Sequence, residues 1–290
     1  MPDFVDREYW KEVDKMVKYY TAEKVTDAVT CIRSMTGELL YLIEGAAEAL
    51  LVDSCLGVGR LRRFVEGLTE KPVTVVLTHG HLDHALGAPE FDRVFMNHAD
   101  KELYEQMSPL EQRIGYIRGG LNGKLPDFDE ADYVPPSPMD FQDLKDGDSF
   151  DLGGIHADIY GLPGHTKGSM VVLVREERIL ILGDACNKST FLFDENTLPV
   201  RAYREELIRI AGRLEGQYDR VFISHHQMEV HKEILQNVIQ VCDAVLAGET
   251  DDVPFEFMGQ QAYIAFSADE HMNRADGVDG NLIYSKERLG

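Results

Sequence analysis

His79-Gly80-His81-Leu82-Asp83-His84 sets three imidazoles and a carboxylate within six residues. The stretch follows an apolar run, Val73 to Leu77, that reads as a buried strand. Imidazole nitrogen and carboxylate oxygen are the ligands that suit zinc and, in other settings, iron or manganese. In an extended segment residues two apart share a face, so His79 and His81 can grip one metal from one side. Past them the chain must turn, which aims Asp83 and His84 at a neighbouring position. One short loop can therefore supply ligands to two metals.

A single histidine cluster also reads as a solvated polar loop. The rest of the chain argues against that reading. Pro163-Gly164-His165-Thr166 lies downstream, Ile179 to Leu182 leads into Gly183-Asp184, and Val221 to Ser224 leads into His225-His226. Each time a candidate ligand follows an apolar, strand-like segment, which is where a layered α/β fold presents its binding residues.

This ordered set, His-x-His-x-Asp-His, Pro-Gly-His-Thr, Gly-Asp and a late Ser-His, resembles the metallo-β-lactamase superfamily of metallohydrolases from about Cys31 to about Leu246. The resemblance implies an α/β fold, a four-layer αββα sandwich of two mixed sheets flanked by helices, with metals at one edge. It implies His79, His81 and His165 on a first metal, Asp83, His84 and His225 on a second, and Asp184 bridging the two. His225 is the preferred last ligand; His226, which stands where the family commonly has glycine, is the alternative. Leu51-Val52-Asp53-Ser54 resembles the family's early strand ending in a structural aspartate.

The expected cofactors are two divalent ions, zinc first, with iron or manganese as alternatives. Two such ions about 3.5–4 Å apart share a hydroxide that exists at neutral pH, because each lowers the pKa of bound water. The expected reaction is attack of that bridging hydroxide on an acyl ester, thioester or lactone carbonyl, with Asp83 and Asp184 as the catalytic carboxylates and Asp83 shuttling a proton. Hydroxyacylglutathione hydrolases and lactonases share this ligand set. β-Lactamases generally lack the Asp83 equivalent or use cysteine in place of the bridging aspartate. The alternatives are a phosphodiesterase of the same superfamily, a di-iron redox protein, and a metal-binding protein without turnover.

Composition agrees with a soluble enzyme, and the resemblance implies a small-molecule substrate. The chain has 290 residues and a formal net charge of −22. That field repels polyanions and disfavours a nuclease, which must grip phosphates with Lys and Arg. Arg60, Arg62 and Arg63 are the nearest approach to a basic run and read as a solvated helix face. No apolar run approaches the ~20 residues of a membrane span, and residues 1–15 lack an apolar signal-peptide core, so a cytoplasmic location is expected. The four cysteines, Cys31, Cys55, Cys186 and Cys242, are scattered and form no Cys-x-x-Cys pair. Cys186, two residues after Asp184, reads as a buried small apolar residue.

Residues 1–250 read as the hydrolase domain and 251–290 as an extension packed on it or at a homodimer contact. Asp6 to Tyr20 reads as an amphipathic helix. Strands are expected at 29–33, 38–43, 49–53 and 93–97, and helices at 59–68, 86–91, from Asp100 as cap to 107, near 110–117, and at 203–214 and 231–247. Residues 108–146, punctuated by Gly119-Gly120, Leu125-Pro126 and Pro135-Pro136, form an insertion read as a lid over the metal edge, with Tyr116, Arg118 and Phe128 as candidate contacts. A second wall is expected from Asn187 to Arg201, which carries Lys188, Phe191 and Phe193. In the extension, strands are expected at 262–266 and 281–284.

Overall fold

A computed structural model describes residues 19–121, 130–257 and 259–290. The helix expected at 6–20, the Leu125-Pro126 punctuation and Phe128 lie outside these, apart from Tyr19 and Tyr20. Tyr20 opens a strand.

The first sheet takes its strands in chain order: Tyr20–Lys24 (β1), Val29–Ser34 (β2), Leu39–Glu44 (β3), Ala49–Val52 (β4), Val73–Val76 (β5), Val94–Met96 (β6) and Gln142–Asp143 (β7). β1 to β4 pair antiparallel and β4 to β7 parallel. The second sheet contains Ser149–Asp151 (β8), His156–Gly161 (β9), Met170–Val174 (β10), Ile179–Ile181 (β11), Arg220–Phe222 (β13) and Glu229–Val230 (β14), in the order β14-β13-β11-β10-β9-β8. Here β11 and β13 are the parallel pair.

The central strands read as unbroken apolar runs because both of their faces are covered. Along β3, Leu39, Tyr41 and Ile43 join Ile159, Val172, Ile181 and Phe222 between the two sheets. Leu40 and Leu42 turn the other way, to meet Leu61, Val65, Tyr104 and Ile117. Those residues come from the helices Leu61–Glu66 (α1), Lys101–Met107 (α3) and Leu110–Gly120 (α4). On the far side Val171, Leu180 and Val221 meet Tyr203, Leu207 and Ile210 of the helix Val200–Arg213 (α5) and Val238 and Cys242 of Ile234–Ala247 (α6). The result is the expected helix–sheet–sheet–helix sandwich. Cross-sheet bonds close it at the end that carries the histidines: Leu39 N donates to Ser224 O at 2.8 Å and Met170 N to Thr78 O at 2.8 Å.

Three local expectations are corrected. The turn of helix expected at 86–91 falls earlier, on the metal loop itself at Leu82–Ala85 (α2), followed by a 3₁₀ turn at Ala88–Glu90. Asp100 stands at the start of α3 but makes no capping bond with its side chain. The C-terminal piece also forms more than two strands. Val253–Phe257 (β15), Gln260–Ile264 (β16) and Leu282–Tyr284 (β17) join Thr190–Leu192 (β12) in a further sheet, ordered β12-β17-β16-β15. The sequence hid it because β12 is three residues long among polar neighbours and β15 contains Pro254, which argues against a strand. One face of this sheet, with Leu192, Leu282 and Tyr284, packs into the core under α5 and α6.

Candidate metal centre

The four histidine and aspartate motifs converge at one sandwich edge because each follows a strand of the two central sheets. His79 to His84 follow β5, His165 lies between β9 and β10, Asp184 follows β11, and His225 follows β13. In the absence of side-chain chemistry this edge would bury polar groups at a cost. His79 and His84 are 1% exposed, and Asp83 and Asp184 8%.

His79 Nε2 lies 3.0 Å from His81 Nδ1, and His165 Nε2 lies 3.0 Å from the same atom. The outer ring nitrogens are engaged. His165 Nδ1 faces the Phe191 carbonyl at 3.1 Å, so it carries a hydrogen and Nε2 is the nitrogen available to a metal. His79 Nδ1 faces Thr78 Oγ1 at 3.0 Å, and that hydroxyl in turn donates to Asp53 Oδ2 at 2.9 Å. His79 Nδ1 is therefore a donor too, and Nε2 is bare. His79 Nε2 and His165 Nε2 thus both point at His81 Nδ1, which has at most one hydrogen to share between them, whereas a cation can be met by all three nitrogens. Burial, then the neighbouring His84, His81 and His165, holds His79 well below the ordinary imidazole range. His81 is pushed down to about 3 by burial and His165. These two are already in the neutral form that metal ligation needs.

The second half is charged. His84 Nε2 lies 3.2 Å from His225 Nε2, 3.5 Å from Asp184 Oδ2 and 3.6 Å from Asp83 Oδ2. His225 Nε2 lies 3.0 Å from Asp184 Oδ2 and 3.4 Å from Asp83 Oδ2. Burial pushes the pKa of His84 down, but the Asp83, Asp53 and Asp184 carboxylates outweigh it and hold the pKa well above the usual value. For His225 burial is likewise outweighed, by Asp184 and Asp83, and the ring is lifted to about 10. Against their own burial, both aspartates are held below the usual carboxylate range, Asp83 chiefly by His84 and Asp184 chiefly by His225. Protons here occupy the place of a second positive charge. Asp184 Oδ1 is buried and, among the described residues, has no hydrogen-bond partner. Three groupings have ligand atoms close enough to share an ion: His79, His81 and His165; His79, His84 and Asp184; and Asp83, His84 and His225. The donor set fits divalent metal.

All seven expected ligand residues are thus brought together. His225 faces the cluster, whereas His226 is exposed and takes φ +66°, the left-handed conformation for which glycine is common at that position. Asp53, itself at φ +67°, accepts from Thr78 N at 2.7 Å and pairs with His84 Nδ1 at 2.8 Å, so it orients a ligand ring as well as the loop. From the 108–146 segment, Tyr116 donates to Asp83 Oδ2 at 2.7 Å, while Arg118 is exposed. Lys188 is 5% exposed, and its Nζ donates to Gln227 Oε1 at 3.0 Å and to Asn273 Oδ1. Cys186 is fully buried beside Tyr203, its thiol pushed up to about 12 by burial, and is inert packing. Arg62 is engaged with Glu66 and Asp92, each at 2.9 Å.

One positioning residue was missed. The buried Asp100 carboxylate accepts from Gly80 N at 3.0 Å, Gly168 N at 2.7 Å and Thr166 Oγ1 at 2.6 Å. It fastens the His79–His84 loop to the His165 loop. A Cβ on Gly80 would sit 2.8 Å from Asp100 O, and one on Gly168 2.7 Å from Asp100 Cγ, so both glycines are required by that approach. The glycines beside the two histidine motifs were the available signal, but the partner they make room for is fixed only by the fold.

The chain belongs to the metallo-beta-lactamase superfamily, whose family model matches residues 37–225. It is 24% identical over 159 residues to the human acyl-coenzyme A thioesterase MBLAC2, a match covering 50% of this chain and 57% of the thioesterase. It is 33% identical over 174 residues to an uncharacterized protein of Mycobacterium tuberculosis, covering 57% of this chain and 70% of that protein. A third relative is the hydroxyacylglutathione hydrolase GloC of Haemophilus influenzae, 29% identical over 142 residues, with 47% and 60% covered. The matches to the thioesterase and to GloC thus span less than two thirds of those relatives' lengths. Among solved structures, a metallo-beta-lactamase from Pontibacter korlensis superposes with a TM-score of 0.55 at 17% identity over 77% of this chain and 99% of that one. At that identity the likeness establishes the fold.

Proposed function

We propose that this chain is a binuclear metal-dependent hydrolase of acyl esters, thioesters or lactones. The observation that carries the proposal is the pair of adjoining donor sets, one of three imidazoles whose nitrogens converge at 3.0 Å and one of two imidazoles with two carboxylates. His79, His81 and His165 would hold one ion, Asp83, His84 and His225 the other, and Asp184 would reach both. Bound there, divalent ions, zinc by preference, would supply an ionised water at neutral pH and polarise the acyl carbonyl.

The chain's own residues do the rest. Asp53 and the Phe191 carbonyl fix the ring orientations. Asp100 holds the two ligand loops in register. Asp83, ionised and hydrogen-bonded by Tyr116, is the carboxylate placed to pass a proton to the departing group. Within the 108–146 segment, α4 borders this edge as part of a lid, with Tyr116 as its contact. Support for an acyl substrate comes from two of the three relatives, an acyl-coenzyme A thioesterase and a hydroxyacylglutathione hydrolase, and the net charge of −22 disfavours a nucleic-acid substrate.

The test is elemental analysis of protein purified without chelator, followed by assays on thioesters, lactones and bis-p-nitrophenyl phosphate. Two metals per chain and acyl hydrolysis that disappears in Asp184→Ala are expected. Stoichiometry fixed at or below one after reconstitution refutes the binuclear site. Phosphodiester cleavage with no acyl turnover assigns the protein to the phosphodiesterases instead.

A further inference from the structure

The sheet added by the C-terminal extension has one face in the core. Its other face carries Phe191 of β12 and Phe255 and Phe257 of β15, joined by Phe193. Phe191 stands at the centre of this group. Its ring centroid is 5.3 Å from that of Phe193, 6.0 Å from Phe255 and 5.3 Å from Phe257. The rings of Phe255 and Phe257 lie nearly parallel, 8° apart. Residues 253, 255 and 257 share a face by the strand's period of two. Phe257 is 37% exposed, among the most exposed of the large apolar side chains described. Rings already clustered bind further apolar surface at little ordering cost, since each has only two side-chain torsions.

The cluster adjoins a histidine of the metal centre. The Phe191 carbonyl is the acceptor for His165 Nδ1, so the ligand ring and the central phenyl are held by one residue. Met272 packs on the same cluster, and the adjoining Asn273 takes a hydrogen bond from Lys188, four residues after Asp184. Phe191 therefore stands directly behind a histidine of the first candidate metal position, and the ring cluster runs from it along the extension.

We propose that this phenylalanine face binds the acyl portion of the substrate and that the acyl group is an extended apolar chain. The inference rests on the acyl-hydrolase reading and narrows it. Other occupants fit less well. Glu195 and Glu256, close in sequence to the cluster's phenylalanines, are exposed, and the chain as a whole carries −22, which opposes an anionic lipid surface. Pro254 and Glu256 sit in the edge strand β15, where a missing N–H and a charge blunt pairing with the edge of a second copy.

The test compares p-nitrophenyl decanoate with p-nitrophenyl acetate, which share a leaving group, so that the ratio of their kcat/KM values isolates the acyl chain. In Phe257→Ser the decanoate-to-acetate ratio should fall by about tenfold or more, the scale set by apolar contact in a pocket. Ile208→Ser, an equally drastic change of an exposed apolar residue on α5, should leave the ratio unchanged. Calorimetric titration with decanoate separates this idea from the reaction class. If neither ester is turned over, yet decanoate binds the wild type and binds Phe257→Ser about tenfold more weakly, the acyl-hydrolase reading fails and the apolar site stands. An unchanged ratio, or decanoate that binds both proteins equally or neither, overturns the proposal. A dimer by light scattering that dissociates in Phe257→Ser without any change in the ratio also overturns it and makes the face a contact between copies.

Discussion

Filling the centre with metal should expel protons from one half and not from the other. In the metal-free protein His225 is lifted to about 10 and His84 is held well above the ordinary imidazole value, so both carry a proton at pH 7. Ligation requires the bare nitrogen. Freeing His225 alone at pH 7 costs about three pKa units, roughly 4 kcal/mol at 1.36 kcal/mol per unit. Its side chain is 22% exposed, so solvent screening trims that figure. The His79, His81 and His165 position starts with His79 and His81 neutral, and those two rings release nothing. Zinc titrations of the metal-free protein at pH 7, in a phosphate and in a Tris buffer, measure the released protons through the difference in ionisation heat. The event at Asp83, His84 and His225 should release up to two protons, one from each raised ring. Its apparent affinity should rise about tenfold per pH unit for each proton displaced, up to about pH 10. His225→Asn should remove one proton from the count. The stability of the metal-free protein follows the same sign. A raised histidine pKa contributes stability that is complete below 6.5 and lost as pH climbs through about 10, so the metal-free form should weaken across that window. Two binding events with equal and buffer-independent heats would refute the division of the site.

Three further outcomes are expected. His225→Ala should halve metal content, whereas His226→Ala should leave it intact; elemental analysis of both variants decides between the adjacent histidines. Asp100→Ala removes three hydrogen bonds and leaves the Gly80 and Gly168 N–H groups unmet. Burial pushes the Asp100 pKa up against those bonds, so the cost is taken low, about 3 kcal/mol, and thermal unfolding should drop by roughly 6–12 °C at about 2–4 °C per kcal/mol. Tyr116→Phe should keep the metal while lowering kcat by about tenfold, the worth of one hydrogen bond to a charged group; unaltered turnover would remove Tyr116 from the working edge.

The sequence alone determined the sandwich and which histidines and aspartates converge at its edge. Both are written locally: apolar runs for strands covered on two faces, and ligand residues placed where those strands end. His79 to His84 are legible because six consecutive residues carry the signal, and His165, Asp184 and His225 because each repeats the strand-then-ligand pattern. Tertiary structure decided what depends on distant parts of the chain. Asp100 looked like a helix cap, since nothing near it in sequence shows that Gly80, Thr166 and Gly168 close around its carboxylate. Tyr116 was legible as a candidate contact at the metal edge, but only the fold shows that its partner is Asp83. The phenylalanine face exists only because Thr190–Leu192 pairs with Leu282–Tyr284, some ninety residues further on. Short strands carry too little periodicity to announce themselves, and the contacts that stabilise them are made by residues that sequence order keeps apart.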